Sequence, residues 1–141
     1  MKLSLQTDYA LRTLIFAAFK NERVKISDVA EFYGISRTHL AKVVNLLSRH
    51  GFVRSIRGVG GGIELAKPPA EISVGDVIQC SEGNLNLLDC ISQDNVCVIE
   101  QFCKLKSVLT EAEKIQLEYL NRHSIADMVP CRKDVLQMVA L

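Results

Sequence analysis

The stretch Ser36-Arg37-Thr38-His39-Leu40-Ala41-Lys42-Val43-Val44-Asn45-Leu46-Leu47-Ser48-Arg49-His50-Gly51, continued by Phe52-Val53-Arg54-Ser55-Ile56-Arg57-Gly58-Val59-Gly60-Gly61-Gly62-Ile63-Glu64-Leu65, changes its hydrophobic period halfway along. In its first part Leu40, Val43, Val44 and Leu47 recur at the three-and-four spacing of an amphipathic helix. Ser36 stands where a side-chain oxygen caps the first turn, and Gly51 stops the helix at about His50. In its second part, residues 52–57 and 63–65 read as short strands joined by the glycine-rich run Gly58 to Gly62, which predicts a hairpin, or wing. The run is not a nucleotide cradle. The third glycine of a dinucleotide pattern would fall on Ile63, no helix follows, and no Lys-Ser/Thr pair completes a phosphate loop.

Upstream, Ser27 starts a short predicted helix, Asp28 to Tyr33, which Gly34 ends. Two helices separated by the Gly34-Ile35 turn make a helix-turn-helix whose second member is the reader. A further helix is predicted from Thr7, as its cap, to Lys20, with Ala10, Leu11, Leu14, Ile15, Ala17 and Ala18 on its inner face. The expected fold is therefore mainly α with a small β-wing: a winged helix-turn-helix. In such a module Arg37, Thr38 and His39 occupy the first turn of the reading helix, where side chains reach base edges, and Lys42 follows one turn on. Arg54 and Arg57 flank the wing, with Gly60 at its tip, and meet phosphate or an adjacent minor groove. Lys25, Ser27 and Ser36 are phosphate clamps, the serines also presenting helix N-terminal amides. Lone lysines such as Lys20 and Lys67 read as solvated surface.

Charge supports the division. The 141 residues carry a formal net charge of only +1, yet residues 1–67 hold eleven Lys and Arg against five Asp and Glu, and residues 68–141 hold six against eleven. A basic module suited to a polyanion is joined to an acidic one. With 48% hydrophobic residues the chain can bury one core. Asp8 and Arg12 interrupt the opening apolar residues, so neither a signal peptide nor a membrane span is expected, and a cytoplasmic, reducing location follows. His39, His50 and His123 are scattered without nucleophile or metalloprotease spacing, so no catalytic site is predicted.

The acidic part contains Cys90, Cys97 and Cys103 within fourteen residues. Three thiols cannot all pair among themselves, and in a reducing compartment they read as ligands for a zinc or an iron–sulfur site. Cys80 closes the apolar run of Val74, Val77 and Ile78 and reads as a buried thiol, while Cys131 follows Pro130; neither has ligand spacing to the trio. From Phe102 to His123, Leu105, Val108, Leu109, Ala112, Ile115, Leu117, Tyr119 and Leu120 give a long helix with a broad apolar stripe, which is expected to pack against its twin in a homodimer. Ser124 caps a short helix, Ile125 to Val129, expected to dock on that dimer.

The run Arg57 to Pro68, the segment Ile72-Ser73-Val74-Gly75-Asp76-Val77-Ile78, the opening Thr7-Asp8-Tyr9-Ala10-Leu11-Arg12 and the cysteine trio followed by Lys104-Leu105-Lys106 together resemble the winged-helix iron–sulfur regulators that include IscR, RirA and NsrR. The resemblance covers nearly the whole chain and implies a dimeric transcription factor whose cluster state sets its affinity for a pseudo-palindromic operator in double-stranded DNA. It also implies the ligands. NsrR-type members carry an aspartate at the place of Asp8, which ligates the cluster of the partner subunit; IscR-like members use a histidine just after the third cysteine, where this chain has Lys104, Leu105, Lys106 and Ser107. The implied set is thus Cys90, Cys97, Cys103 and Asp8 from the partner, around a four-iron cluster in preference to a two-iron one. The first spacing, six residues between Cys90 and Cys97, discriminates less well than the five between Cys97 and Cys103.

By that resemblance the chain is a repressor that releases its operator when nitric oxide attacks the oxygen-ligated, more exchangeable iron. Its implied parts are a winged helix-turn-helix (1–80), a cysteine-rich cluster loop (81–104) and a dimerisation helix with C-terminal segment (105–141). An iron- or cluster-status regulator, a structural zinc in a DNA-binding or interaction module, an electron carrier and a thiol switch remain as rival readings.

Overall fold

The computed structural model describes residues 2–85, 87–92 and 97–139. Helix α1 (Leu5–Lys20) begins earlier than its apolar face predicts, because Ser4 is the cap, its side chain accepting from the Thr7 amide at 3.3 Å. Thr7 lies inside the first turn, fully buried. Ala10, Leu14 and Ala17 are buried as expected, with Leu11, Ile15 and Ala18 packed at the edge of the same core.

Helix α2 (Ile26–Tyr33) also starts before its predicted cap. Its N-cap residue is Lys25, which makes no side-chain cap, and the hydroxyl of Ser27 turns to the Asp28 carboxylate at 3.3 Å. The reason is the preceding residue: Val24 exchanges two backbone hydrogen bonds with Ile63, at 2.9 and 2.8 Å, and this bridge sets where the helix can begin. Gly34 ends α2 in the left-handed conformation, as predicted. Ser36 then caps α3 (Arg37–Arg49) by accepting from the His39 amide, and Leu40, Val43, Val44 and Leu47 are all buried.

The hairpin follows at once. Strands β1 (Val53–Ile56) and β2 (Gly62–Leu65) pair antiparallel, with Arg54 opposite Glu64 and Ser55 opposite Ile63. Through the bridge to Val24 the wing is stitched to the helices, and Ile63 is sealed in the core.

Helix α4 (Val74–Glu82) is capped by Ser73 and buries Val74, Val77 and Ile78 against α1. The short α5 (Asp89–Ser92) and a 3-10 turn (Glu100–Phe102) lead into α6 (Lys104–Asn121). Helix α7 (Ile125–Met128) carries a capping box between Ser124 and Asp127. It docks on its own chain: Ile125 is fully buried in the core shared with α1, and its amide donates to the Ile72 carbonyl at 2.8 Å. Helix α8 (Arg132–Val139) lies where the sequence predicts no helix. One core thus ties the winged module to α4 and α7, each fully buried Leu or Ile contributing about 1.5–3 kcal/mol. Among the described residues no helix is long and apolar enough to cross a membrane.

Candidate nucleic-acid interface and cysteine segment

Helix α3 turns one face inward and leaves the other to solvent. Its buried aliphatic row holds the helix against α1 and α2, and this leaves Arg37, Thr38, His39 and Lys42 exposed together at its N-terminal end. The arrangement is the one a reading helix needs, since the first turn is what enters a major groove. Lys25 is exposed at the start of α2, and Ser36 is exposed beside the amides of the first turn of α3. Ser27 is half-buried and its hydroxyl is turned to Asp28, which leaves mainly its backbone for the phosphate contact that the sequence leads one to expect.

The wing carries Arg57, exposed, and Arg54, which reaches across the hairpin to Glu64 at 3.4 Å. An exposed pair of this kind is worth at most about 1 kcal/mol, so a phosphate competes with it readily. Glu64 is shared with Arg23, at 3.5 Å, and Arg23 also donates to the Gly60 carbonyl at 3.0 Å. Sequence reasoning missed Arg23 because its role exists only once residue 24 has paired with β2. Gly60, at φ +75°, shapes the wing tip, and its carbonyl is engaged by Arg23. The two lysines read as plain surface lie along aromatic faces instead, Lys20 over Phe16 at 5.6 Å and Lys67 over Phe52 at 5.0 Å.

Of the cysteine-rich stretch 81–104, residues 86 and 93–96 lie outside the described residues. Cys90 is half-buried in α5, Cys97 is exposed, and Cys103 is half-buried at the residue before α6; all are free thiols. The segment is shaped at its far end by backbone turns, the Glu100 amide donating to the Cys97 carbonyl at 3.2 Å and the Cys103 amide to the Glu100 carbonyl at 3.3 Å. Among the described residues no three His, Cys, Asp or Glu side chains are gathered closely enough to hold a metal within one chain. Cys80 is partly buried against the core; burial pushes its thiol pKa up, and Arg49 only partly offsets this, as suits an inert structural thiol. Cys131 is exposed.

Asp8 sits in the first turn of α1, partly exposed, and accepts from Arg12 Nε at 2.8 Å. This hydrogen bond raises the Arg12 pKa, against a smaller effect of burial. The guanidinium also stacks over the Tyr33 ring, 5.5 Å from its centroid. Asp8 is therefore held on the surface of the winged module, oriented by a neighbour one helical turn away.

Helix α6 divides its apolar residues between two faces. Leu109, Leu117 and Leu120 turn toward the chain's own body, whereas Leu105, Val108, Ala112, Ile115 and Tyr119 are exposed. Those five positions alternate three and four residues apart, the spacing of a coiled-coil seam.

Comparison with known proteins joins these observations. A family model described as "Rrf2: Iron-dependent Transcriptional regulator" matches residues 3–130. The HTH-type transcriptional regulator NsrR of Bacillus subtilis (strain 168) is 40% identical, with 100% of this chain and 99% of that protein covered. The regulator of the same name from Bacillus licheniformis is 43% identical over 92% of each chain. Among solved structures, that of T. potens IscR superposes with a TM-score of 0.72 at 31% identity, covering 91% of this chain and 85% of the other.

Proposed function

The chain belongs to the Rrf2 family of transcriptional regulators, and from that membership we propose that it is a homodimeric repressor that leaves its operator in response to nitric oxide. The observation that carries this reading is the donor set. Three free thiols lie in one segment between α4 and α6, and a surface carboxylate, Asp8, stands on the DNA-binding module, in a chain about 40% identical from end to end to regulators named NsrR.

Thiolates are soft donors suited to iron–sulfur clusters, and a carboxylate is a harder, poorer match. Cys90, Cys97 and Cys103 would hold a cluster, four-iron in preference to two-iron, with the partner subunit's Asp8 as its fourth ligand. When bound, the cluster would supply iron that a small uncharged ligand can attack, most readily where the donor is the harder carboxylate oxygen. The rest of the mechanism belongs to the chain. Arg12 keeps Asp8 oriented, and a carboxylate has a second oxygen with which to reach across the dimer. Breaking that reach unties the first helix of one DNA module from the cysteine segment of the other. In this scheme residues 1–80 read DNA, 81–104 sense and 105–141 assemble the dimer, the exposed stripe of α6 meeting its twin. Two α3 helices then address successive major grooves ~34 Å apart, which selects a pseudo-palindromic operator.

The deciding experiment follows operator binding of anaerobically prepared protein while nitric oxide is added stepwise, with native mass spectra of the same samples. Release in step with loss of cluster mass supports the proposal. Retention of the operator after the cluster mass is gone refutes it. The "iron-dependent" description of the family favours a second reading, in which iron supply is the signal. Release by an iron chelator, with indifference to nitric oxide, would select it, and a colourless zinc-loaded dimer would exclude both.

For DNA recognition, Arg37→Ala is expected to weaken operator binding by ~1–3 kcal/mol for each base edge that the guanidinium reads, with affinity for random DNA unchanged. Lys25→Ala is expected to weaken both alike and to lower the slope of log K against log salt by about 0.9 for each phosphate that the ammonium neutralises. Titrations of both DNAs at several salt concentrations separate the roles, and equal losses for Arg37→Ala would remove it from base reading.

A further inference from the structure

Glu82 is the last residue of α4, and from it the chain turns, at Gly83 with φ +72°, toward the cysteines. Its carboxylate is engaged elsewhere. Glu82 Oε1 accepts the backbone N–H of Ser4 at 2.6 Å and the hydroxyl of Thr7. Thr7 is fully buried, and Ser4 is the residue that caps α1. Two donors, one from the N-cap and one from the first turn of α1, thus converge on one oxygen contributed from more than seventy residues away. The negative charge sits where the helix dipole favours it. Partial burial acts to raise the Glu82 pKa, but the hydrogen bonds from Thr7 and Ser4 outweigh it and hold the carboxyl below its ordinary value.

The other end of α4 is fastened to α6. The Ser73 hydroxyl donates to Asn121 Oδ1 at 2.8 Å, and Gly75 lies so close to Asn121 that a Cβ there would displace it. Helix α4 therefore runs as a strut from the end of α6 to the start of α1. Asp8 follows Thr7 directly, and the next residue, Tyr9, places its ring centroid 6.4 Å from that of His39 on α3. The groove beside that contact is lined by Leu5, Gln6, Tyr9, His39, Lys42 and Val43, so the first turn of α1 and the exposed face of α3 share one surface.

We infer that Glu82 is a positioning residue that ties the root of the cysteine segment to the first turn of α1, so that displacement of that segment reaches Asp8 and, through Tyr9 and His39, the reading helix. This rests on the reading that the cysteine segment governs DNA affinity. A carboxylate that merely capped α1 would alter stability and leave the coupling between the two regions untouched.

The test measures operator affinity for iron-loaded protein and for the same preparation stripped by a chelator, and takes their ratio. Coupled sites differ by roughly 5- to 150-fold, and the wild-type ratio is expected in that range. Glu82→Ala is expected to bring the ratio to within about twofold of one, while Glu82→Gln, which keeps an acceptor oxygen, retains most of it. Thr7→Val removes one donor at nearly constant volume and should behave like Glu82→Ala; Thr7→Ser restores the hydroxyl and should restore the ratio. This pair carries the test if Glu82→Ala fails to fold. Amide hydrogen exchange on metal-free protein is the second readout, with faster exchange at Ser4 to Asp8 expected in Thr7→Val and not in Thr7→Ser. A large wild-type ratio that persists in Glu82→Ala, or in Thr7→Val, overturns the role of Glu82 alone. A wild-type ratio near one overturns the sensing reading and this inference with it.

Discussion

Gly62→Ala is expected to destabilise the protein by about 2–5 kcal/mol, by combining overpacking with backbone strain. Gly62 opens β2 at φ +152°, and a Cβ built on it would stand 2.5 Å from the Val24 carbonyl oxygen. That oxygen accepts from the Ile63 amide, and the Val24 amide donates back to the Ile63 carbonyl. A methyl group therefore wedges apart the two backbone groups that join the wing to the helices. Ile63, fully buried, and Val24, nearly so, lose their seal as the bridge opens. Gly60→Ala is the control. Its φ is also positive, at +75°, but nothing lies within 4 Å of its Cβ, so only the left-handed conformation is penalised, by about 1–2 kcal/mol. Urea unfolding of the two variants at one fixed protomer concentration distinguishes the causes. Equal midpoints would mean that backbone conformation, and not the approach to Val24, is what Gly62 serves.

The parts of the fold legible in the sequence are those whose determinants are local. Ser36 and Gly51 bracket α3, its four buried aliphatics follow the helical period, and the glycine run makes the hairpin unmistakable. Errors arise where a distant residue competes for a local group. Thr7 has the chemistry of a cap and reads as one, yet its hydroxyl is donated to Glu82, seventy-five residues away, and Ser4 takes the capping role. Ser27 reads as a cap for the same reason and loses to the bridge between Val24 and Ile63, which starts α2 earlier. Arg23 has no visible purpose until the wing folds back beside it. The candidate site divides in the same way. The exposed face of α3 follows from periodicity alone, because burying one row of a helix dictates where the opposite row points. The proposed ligand set does not, since thiols spaced along a segment specify chemistry without specifying where in space they meet. The Asp8–Arg12 pair is readable as an i,i+4 contact, and it matters because it orients the one carboxylate in the proposed set.

If the chain assembles as proposed, Ile115→Glu is expected to turn the proposed dimer into a monomer and to lower operator affinity by about 10²–10⁴-fold, the factor that linkage of two binding modules provides. Ile115 is 57% exposed and Tyr119 58% exposed on α6, so neither side chain contributes much to the core of its own protomer. A glutamate there is solvated in the monomer and should change its stability by no more than about 0.5 kcal/mol. Pressed against a twin helix, the same carboxylate is stripped of water without a partner, and a seam formed by Leu105, Val108, Ala112, Ile115 and Tyr119 cannot close around it. Each released monomer still presents Arg37, Thr38, His39 and Lys42 intact, so binding to a single half-site should survive while the gain from the second disappears. Ser107→Glu, which adds the same charge at an exposed position outside the seam, should leave both assembly and affinity unchanged. Sedimentation equilibrium paired with titrations of full and half operators reads the two consequences separately. If Ile115→Glu remained dimeric and bound the full operator as tightly as the wild type, the stripe on α6 would not be the surface that brings two reading helices onto one stretch of DNA.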